Sequence, residues 1–309
     1  MQVGKIMTSD KIKASVAHAT EALFCRCMKK LYLLVVATLG FACTRNPYAT
    51  TNRVYRQQVR QLARQLMTQP PQPPTDSLPA TPYWVGTVNL NLRKPNYVII
   101  HHTAQDSTAQ TLKTFTLVKT QVSAHYVIGR DGKTYHMLSD YLRAWHAGAA
   151  RWGGITDINS VSIGIELDNN GREPFAEAQL TSLLRVLSYL KKTYNIPASN
   201  FIGHGDIAPV RKNDPSAQFP WQRLAARGYG LWYDATVLTN TTITPFTADS
   251  LGHLAGPTPA EALRVIGYDT RELPAAVQAF KRHFVPQETG TELTELDRRI
   301  LFNLYRKYL

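Results

Sequence analysis

Four short segments of this 309-residue chain carry side chains able to do chemistry together: His101-His102, Glu166, Gly203-His204-Gly205-Asp206 and Arg211-Lys212-Asn213-Asp214-Pro215. Two imidazoles and a carboxylate are suitable zinc ligands that leave one position open for water. Water bound to zinc has its pKa lowered to about 7, which makes a hydroxide nucleophile available at neutral pH. A nearby carboxylate can take and pass on the proton. A cation can meet the negative oxygen that develops on an attacked carbonyl. Glu166 and Lys212 have the chemistry for those last two tasks. Each residue also has an ordinary explanation. A histidine at a strand end can be a hydrogen-bonded structural group, and an Asp before Pro forms turns. Glu166 could cap a helix, and a lysine is usually solvated. The spacing does not show that His101, His204 and Asp214 converge.

The elements that must position these residues read as α/β. Tyr97–Ile100 is a buried-type strand that ends at His101-His102. Residues 108–122 carry apolar side chains at helical spacing. Strands at 125–128 and 133–138 flank Arg130-Asp131-Gly132 as a hairpin. Val161–Glu166 is a further strand, with Gly164 allowing close packing. Residues 175–194 form an amphipathic helix with Leu180, Leu183, Leu184, Leu187 and Leu190 on one side. Phe201–His204 delivers a histidine to a loop, and Trp221–Ala226 reads as a closing helix.

Six segments occur in one order: Ile99-Ile-His-His-Thr-Ala104, Ser123-Ala-His-Tyr-Val-Ile128, Ala144-Trp-His-Ala-Gly148, Asn159-Ser-Val-Ser-Ile-Gly-Ile-Glu166, Gly203-His-Gly-Asp-Ile-Ala-Pro209 and Lys212-Asn-Asp-Pro-Ser-Ala-Gln-Phe-Pro-Trp221. As an ordered set, spanning roughly residues 83–234, they resemble the zinc-dependent N-acetylmuramoyl-L-alanine amidases of the peptidoglycan-recognition-protein superfamily. The resemblance implies a central mixed β-sheet flanked by helices, with a cleft for one Zn2+ on one face. It implies His101 (rather than His102), His204 and Asp214 as metal ligands, where some relatives carry Cys at the third position. It implies Glu166 as acid/base and Lys212 as the oxyanion-stabilising cation. Some relatives place a catalytic tyrosine where this chain has Ala124, so the glutamate-using branch is the better match. His125, Trp145 and His146 are expected to line the cleft and touch substrate or, with His102, to support the ligands. The implied reaction cleaves the amide between N-acetylmuramic acid and L-alanine in peptidoglycan or muropeptides. The alternative is a non-catalytic module that recognises peptidoglycan, as superfamily members lacking the ligand set do.

The remaining chain suggests a tether and a tail. Cysteines occur only at positions 25, 27 and 43, so the body after Cys43 can contain no internal disulfide and no thiolate metal site. Met28-Lys-Lys30 followed by the apolar run 31–42 and Cys43 reads as a secretory signal. The ending Leu39-Gly-Phe-Ala-Cys43 resembles a bacterial lipoprotein signal with Cys43 as the lipidated residue. Residues 1–27 then look like an upstream extension. The expected location is the cell envelope, lipid-anchored and facing the periplasm, with the outer membrane as the holding membrane. No apolar run approaches the roughly 20 residues of a membrane span, which excludes a multi-span protein.

Residues 44–82 form the tether: a basic amphipathic helix over 55–66, read as a solvated spacer, then Gln69-Pro-Pro-Gln-Pro-Pro74 in polyproline geometry. The catalytic domain spans 83–240. Residues 241–309 follow a Thr-rich linker and show helical patterns at 259–266, 273–284 and 292–309. They resemble the three-helix peptidoglycan-binding domain of certain lipoprotein amidases and are read as a separate small domain.

The net charge is +13. Removing residues 1–43 leaves 29 basic against 20 acidic residues, a net +9. A basic balance favours an anionic partner: nucleic acid, a lipid surface or an acidic cell-wall polymer. No nucleic-acid recognition motif accompanies it, so the expected partner is peptidoglycan, bound by a monomer.

Overall fold

The computed structural model describes residues 46–67, 92, 94–239 and 256–309. The signal, Cys43, the Pro-rich tether and most of the Thr-rich linker lie outside the described residues. The chain divides into two units, residues 1–86 and 87–309.

In the first unit, helix α1 (Ala49–Met67) is longer than the sequence pattern implied. It contains no acidic residue, and none of its residues is buried. No helix among the described residues is long and apolar enough to cross a membrane.

The second unit is built on a five-stranded mixed sheet. Its strands are β1 (Tyr97–His102), β2 (Tyr126–Ile128), β3 (Thr134–His136), β4 (Ser162–Leu167) and β5 (Phe201–Gly203), in the spatial order β3-β2-β4-β1-β5. Strands β2, β4, β1 and β5 run parallel, and β3 pairs antiparallel with β2 at one edge. Helix α2 (Thr108–Thr116) follows β1, and helix α3 (Glu177–Tyr194) follows β4. After β5 come the four-residue helix α4 (His204–Ile207), α5 (Trp221–Ala225) and α6 (Thr236–Thr239). The tail supplies α7 (Pro259–Ile266), α8 (Leu273–Phe284) and α9 (Glu295–Tyr308).

The parallel register explains why β1 and β4 read as continuous apolar runs. Both faces of a parallel sheet are covered, so both sets of alternating side chains are buried. Val98, Ile100, Ile163 and Ile165 pack with Leu180, Leu183, Leu187 and Leu190 of α3. On the opposite face, Ile99 and Ile202 pack with Leu263, Ile266, Phe280, Phe284, Ile300 and Leu304 of the tail. The tail therefore does not stand apart, as its sequence suggested. Its helices bury their apolar stripes on the second face of the sheet, which would otherwise be exposed. Sequence distance across the linker hid this shared core.

Helix α2 also differs from expectation: it stops at Thr116, and Val118–Thr120 make a separate 3₁₀ turn. The β-branched residues Thr114, Thr116, Val118, Thr120 and Val122 favour helix poorly. The Thr120 hydroxyl donates to the Thr114 carbonyl at 2.8 Å and the Leu117 carbonyl at 2.7 Å, which closes the end of the helix.

At the other end of the sheet Asp140 is buried and accepts hydrogen bonds from Tyr126 Oη (2.9 Å) and Tyr194 Oη (2.9 Å), with His136 Nε2 at 3.2 Å. Burial pushes its carboxyl up, but His136 and the two tyrosines more than reverse this and hold it below its ordinary value. Asp140→Ala leaves two buried hydroxyls without an acceptor, each costing about 1–3 kcal/mol. The expected result is a urea midpoint lowered accordingly. A midpoint equal to wild type would show that water replaces the carboxylate.

Candidate active site

His101 and Glu166 are register partners on adjacent parallel strands, so both side chains leave the same face of the sheet near the carboxyl ends of β1 and β4. Clefts at this end of a parallel sheet are the usual place for ligands. His204 starts helix α4 directly after β5, which pairs with β1. The segment carrying Asp214 is tied to that helix, because Gly205 N–H donates to the Asp214 carbonyl at 2.6 Å. These three strand ends and one loop form the floor of a cleft of about 370 Å³.

His101 Nδ1, His204 Nδ1 and Asp214 Oδ2 meet there, at separations of 2.9, 3.0 and 3.1 Å. All three residues are buried. The remaining ring nitrogens fix the tautomers. His204 Nε2 lies 3.0 Å from the Ala147 carbonyl, which can only accept, so in the neutral ring Nδ1 keeps the lone pair. His101 Nε2 lies 3.1 Å from His146 Nδ1, and His146 Nε2 lies 3.2 Å from Ser162 Oγ. The Ser162 hydroxyl donates to the Ile158 carbonyl at 2.6 Å, so it accepts from His146. The chain of donors therefore runs from His101 Nε2 through His146 and Ser162 to Ile158. Burial, with His204 beside it, pushes His101 down to about 4. Burial and the neighbouring His101 push His146 well below its ordinary value. Both rings are neutral at physiological pH, and His101 Nδ1 also presents a lone pair.

Three acceptor atoms thus face one another. Two imidazole nitrogens and an ionised carboxylate oxygen, each pre-aimed by a hydrogen bond or by burial, form a donor set that fits Zn2+.

Glu166 faces the same cleft, and its Oε2 is buried with no hydrogen-bond partner among the described residues. Burial, and then the negative charge of Asp214, push its carboxyl up to about 8, against an opposing pull from Lys212. A carboxyl whose folded pKa exceeds its unfolded value binds more protons when folded, so stability falls as pH rises through that interval. In the metal-free protein the Glu166 contribution should be lost between about pH 4.5 and pH 8. The urea midpoint of metal-free wild type minus that of Glu166→Gln should become more negative across this window. A difference independent of pH would refute the burial argument.

The cleft places the other sequence candidates differently. Lys212 lines it, half-buried, and Trp145 stands at its rim with 52% of its surface exposed. His102 lines it and accepts the Ser216 N–H at 3.1 Å. His146 supports His101 from beneath, and a Cβ at Gly164 would overlap its ring, so only glycine lets the histidine lie on β4. The ring also lines the cleft, beside His101 and Glu166. His125 does not reach the cleft at all. It is fully buried, its Nδ1 accepts the Gly164 N–H at 3.1 Å, and its Nε2 donates to the Leu142 carbonyl at 2.9 Å. With both nitrogens used by the backbone, no atom is left for substrate.

Sequence reasoning missed Asn159, whose Oδ1 accepts the backbone N–H of His146 and Ala147 at 3.1 and 2.9 Å. It shapes the segment that supplies both the His146 ring and the Ala147 carbonyl. It also missed Ser162, and it gave Asp206 no role although that residue stands in one of the four segments. The local sequence carries no signal for a backbone carbonyl that orients a histidine 57 positions away.

A family profile described as "N-acetylmuramoyl-L-alanine amidase" matches residues 91–217. The chain is 34% identical over 235 residues to N-acetylmuramoyl-L-alanine amidase AmiD of Escherichia coli, covering 68% of this chain and 82% of that protein. It is 39% identical over 104 residues to 1,6-anhydro-N-acetylmuramyl-L-alanine amidase AmpD of Haemophilus influenzae, covering 33% of this chain and 56% of that one. Among solved structures it is similar to E. coli AmiD in complex with anhydro-N-acetylmuramic acid-L-Ala-D-gamma-Glu-L-Lys. That match has TM-score 0.61 and 31% identity over 72% of this chain and 93% of that one. It is also similar to AmpDh3 of Pseudomonas aeruginosa, with TM-score 0.62 and 26% identity over 75% and 99%.

Proposed function

The chain belongs to the N-acetylmuramoyl-L-alanine amidase family, and from that membership we propose how its own residues divide the work. The enzyme hydrolyses the amide between N-acetylmuramic acid and L-alanine in peptidoglycan or its fragments. The anhydromuramoyl peptide bound by E. coli AmiD makes anhydromuramoyl peptides the first substrates to offer. The convergence of His101 Nδ1, His204 Nδ1 and Asp214 Oδ2 beside Glu166 carries the reading.

His101, His204 and Asp214 would hold zinc, which when bound supplies a Lewis acid for the carbonyl and acidifies the attacking water. The hydrogen bonds to His146 and Ala147 keep the two rings turned with Nδ1 toward the cleft. Glu166 Oε2, buried and without a partner, takes the proton of the water. The same carboxyl then delivers that proton to the amine leaving on L-alanine. Lys212, which lines the cleft, supplies the ammonium for the negative oxygen developing on the carbonyl. Trp145, exposed at the rim, offers an apolar face to a sugar or peptide segment.

Incubation of the purified protein with an anhydromuramoyl tripeptide, followed by mass spectrometry, tests this. The expected product is a free peptide beginning with L-alanine, absent when a zinc chelator is present. Retained binding to peptidoglycan with no product in either arm would move the protein to the recognition class.

The lipoprotein-type signal supports a further part of the proposal: Cys43 is lipidated, and a monomeric enzyme is held at an envelope membrane facing the periplasm. Cys43→Ser should shift the protein from the membrane fraction to the soluble periplasm. An unchanged distribution would refute the anchor.

A further inference from the structure

We infer that His283, in the C-terminal tail, is a positioning residue for the zinc ligand His204, acting through Asp206. The inference rests on the zinc-hydrolase reading above.

His204 lies in helix α4, which has only four residues. A single helical turn cannot hold itself, because fixing its backbone costs more than its few hydrogen bonds return. Its geometry must come from outside. Asp206 Oδ2 accepts the N–H of Gly203 at 2.8 Å, closing a capping loop around His204. That same Oδ2 is 2.8 Å from His283 Nδ1, and Oδ1 accepts Tyr268 Oη at 2.9 Å. Asp206, Tyr268 and His283 are all buried. A buried carboxylate is tolerated only when its acceptor sites are filled, and here both tertiary partners come from the tail.

The His283 ring is itself gripped. It stacks on Trp221 at 3.9 Å between centroids and on Phe284 at 4.2 Å. The neighbouring Arg282 reaches the other ligand segment, with Nη1 3.5 Å from the Lys212 carbonyl. A Cβ at Gly205 would lie 2.7 Å from that same Nη1, so the glycine leaves the guanidinium room to sit where it does. Helix α8 thus braces both segments that carry His204 and Asp214. The tail is part of the catalytic unit, whatever it contributes to polymer binding.

Two substitutions separate positioning from plain packing. His283→Phe keeps an aromatic ring between Trp221 and Phe284 but removes the donor to Asp206. His283→Asn keeps an amide N–H where Nδ1 stood but removes the ring. Zinc affinity by chelator competition, the visible spectrum of the cobalt-substituted protein, kcat, KM and melting temperature are measured for each. His283→Phe should weaken zinc binding about 10–100-fold, as loss of a supporting partner does. It should also lower kcat more than KM changes and shift the cobalt bands. His283→Asn should recover most of the zinc affinity and the cobalt spectrum while melting at a lower temperature than His283→Phe. Zinc affinity that follows melting temperature instead, or His283→Phe binding zinc as tightly as wild type, overturns the inference. If one variant does not fold, Tyr268→Phe, which removes the other donor to Asp206, is read against the same outcomes. Wild type that binds no zinc would refute the hydrolase reading itself. Wild type that binds zinc and cleaves, alongside an unaffected His283→Phe, would refute the brace alone.

Discussion

Glu166→Gln is expected to lower kcat/KM on a muramoyl peptide by about 10²–10⁴-fold, the range a positioned acid/base group supplies. Glutamine matches the volume of the side chain but can neither accept the water's proton nor return it to the leaving amine. Because the same carboxyl serves both transfers, the loss should fall on kcat. Zinc content should stay at that of wild type, since Glu166 is not among the three converging donors. The measurement pairs steady-state kinetics with metal analysis of the same preparation. Near-wild-type kcat would reassign the base. Loss of zinc along with activity would mean that Glu166 holds the ligand set together.

Asp214→Ala is expected to give the opposite pattern: zinc lost on dialysis and activity at the uncatalysed background. Asp214 Oδ2 sits 3.0 Å from His101 Nδ1 and 3.1 Å from His204 Nδ1 and carries the only negative charge of the triad. Without it two neutral imidazoles remain, and a divalent ion has no charge to neutralise it in a buried site. Chelation of wild type should copy the activity loss and should be reversed by added zinc, whereas Asp214→Ala should not recover. Taken together, the two variants separate the proton carrier from the metal site. Asp214→Ala that keeps zinc through dialysis would remove Asp214 from the ligand set.

Much of the fold was legible because it is written in local periodicity. The run Tyr97–Ile100 and the leucine stripe of residues 180–190 each report their own burial. The tail helices were legible for the same reason, but α9 starts at Glu295 rather than 292, where Thr294 caps it through a reciprocal bond with Asp297. Helix α2 was read too long because apolar spacing continues past Thr116, while the β-branched side chains that end the helix interrupt no period. The candidate ligands were legible as residue types placed where strands end, and the ordered resemblance named which of His101 and His102 to choose.

Convergence was not legible, and only the tertiary structure decided it. His101 and Asp214 are 113 positions apart, and no spacing rule relates them. Three histidines of similar sequence setting were parted by depth: His146 beneath His101, His125 sealed by backbone groups, His102 turned toward Ser216. The tail looked separate because its helices are individually complete, yet their apolar stripes needed a surface, and the second face of the sheet was the one available. The amino-acid sequence determined by itself which segments would become strands and helices and which side chains could bind metal or move a proton, since those properties belong to single residues and their near neighbours. Which nitrogen of each imidazole points inward, which carboxylate is buried without a partner, and that a helix some 70 residues downstream steadies a metal ligand are properties of packed pairs. They came into being only when the sheet brought distant residues within hydrogen-bonding range.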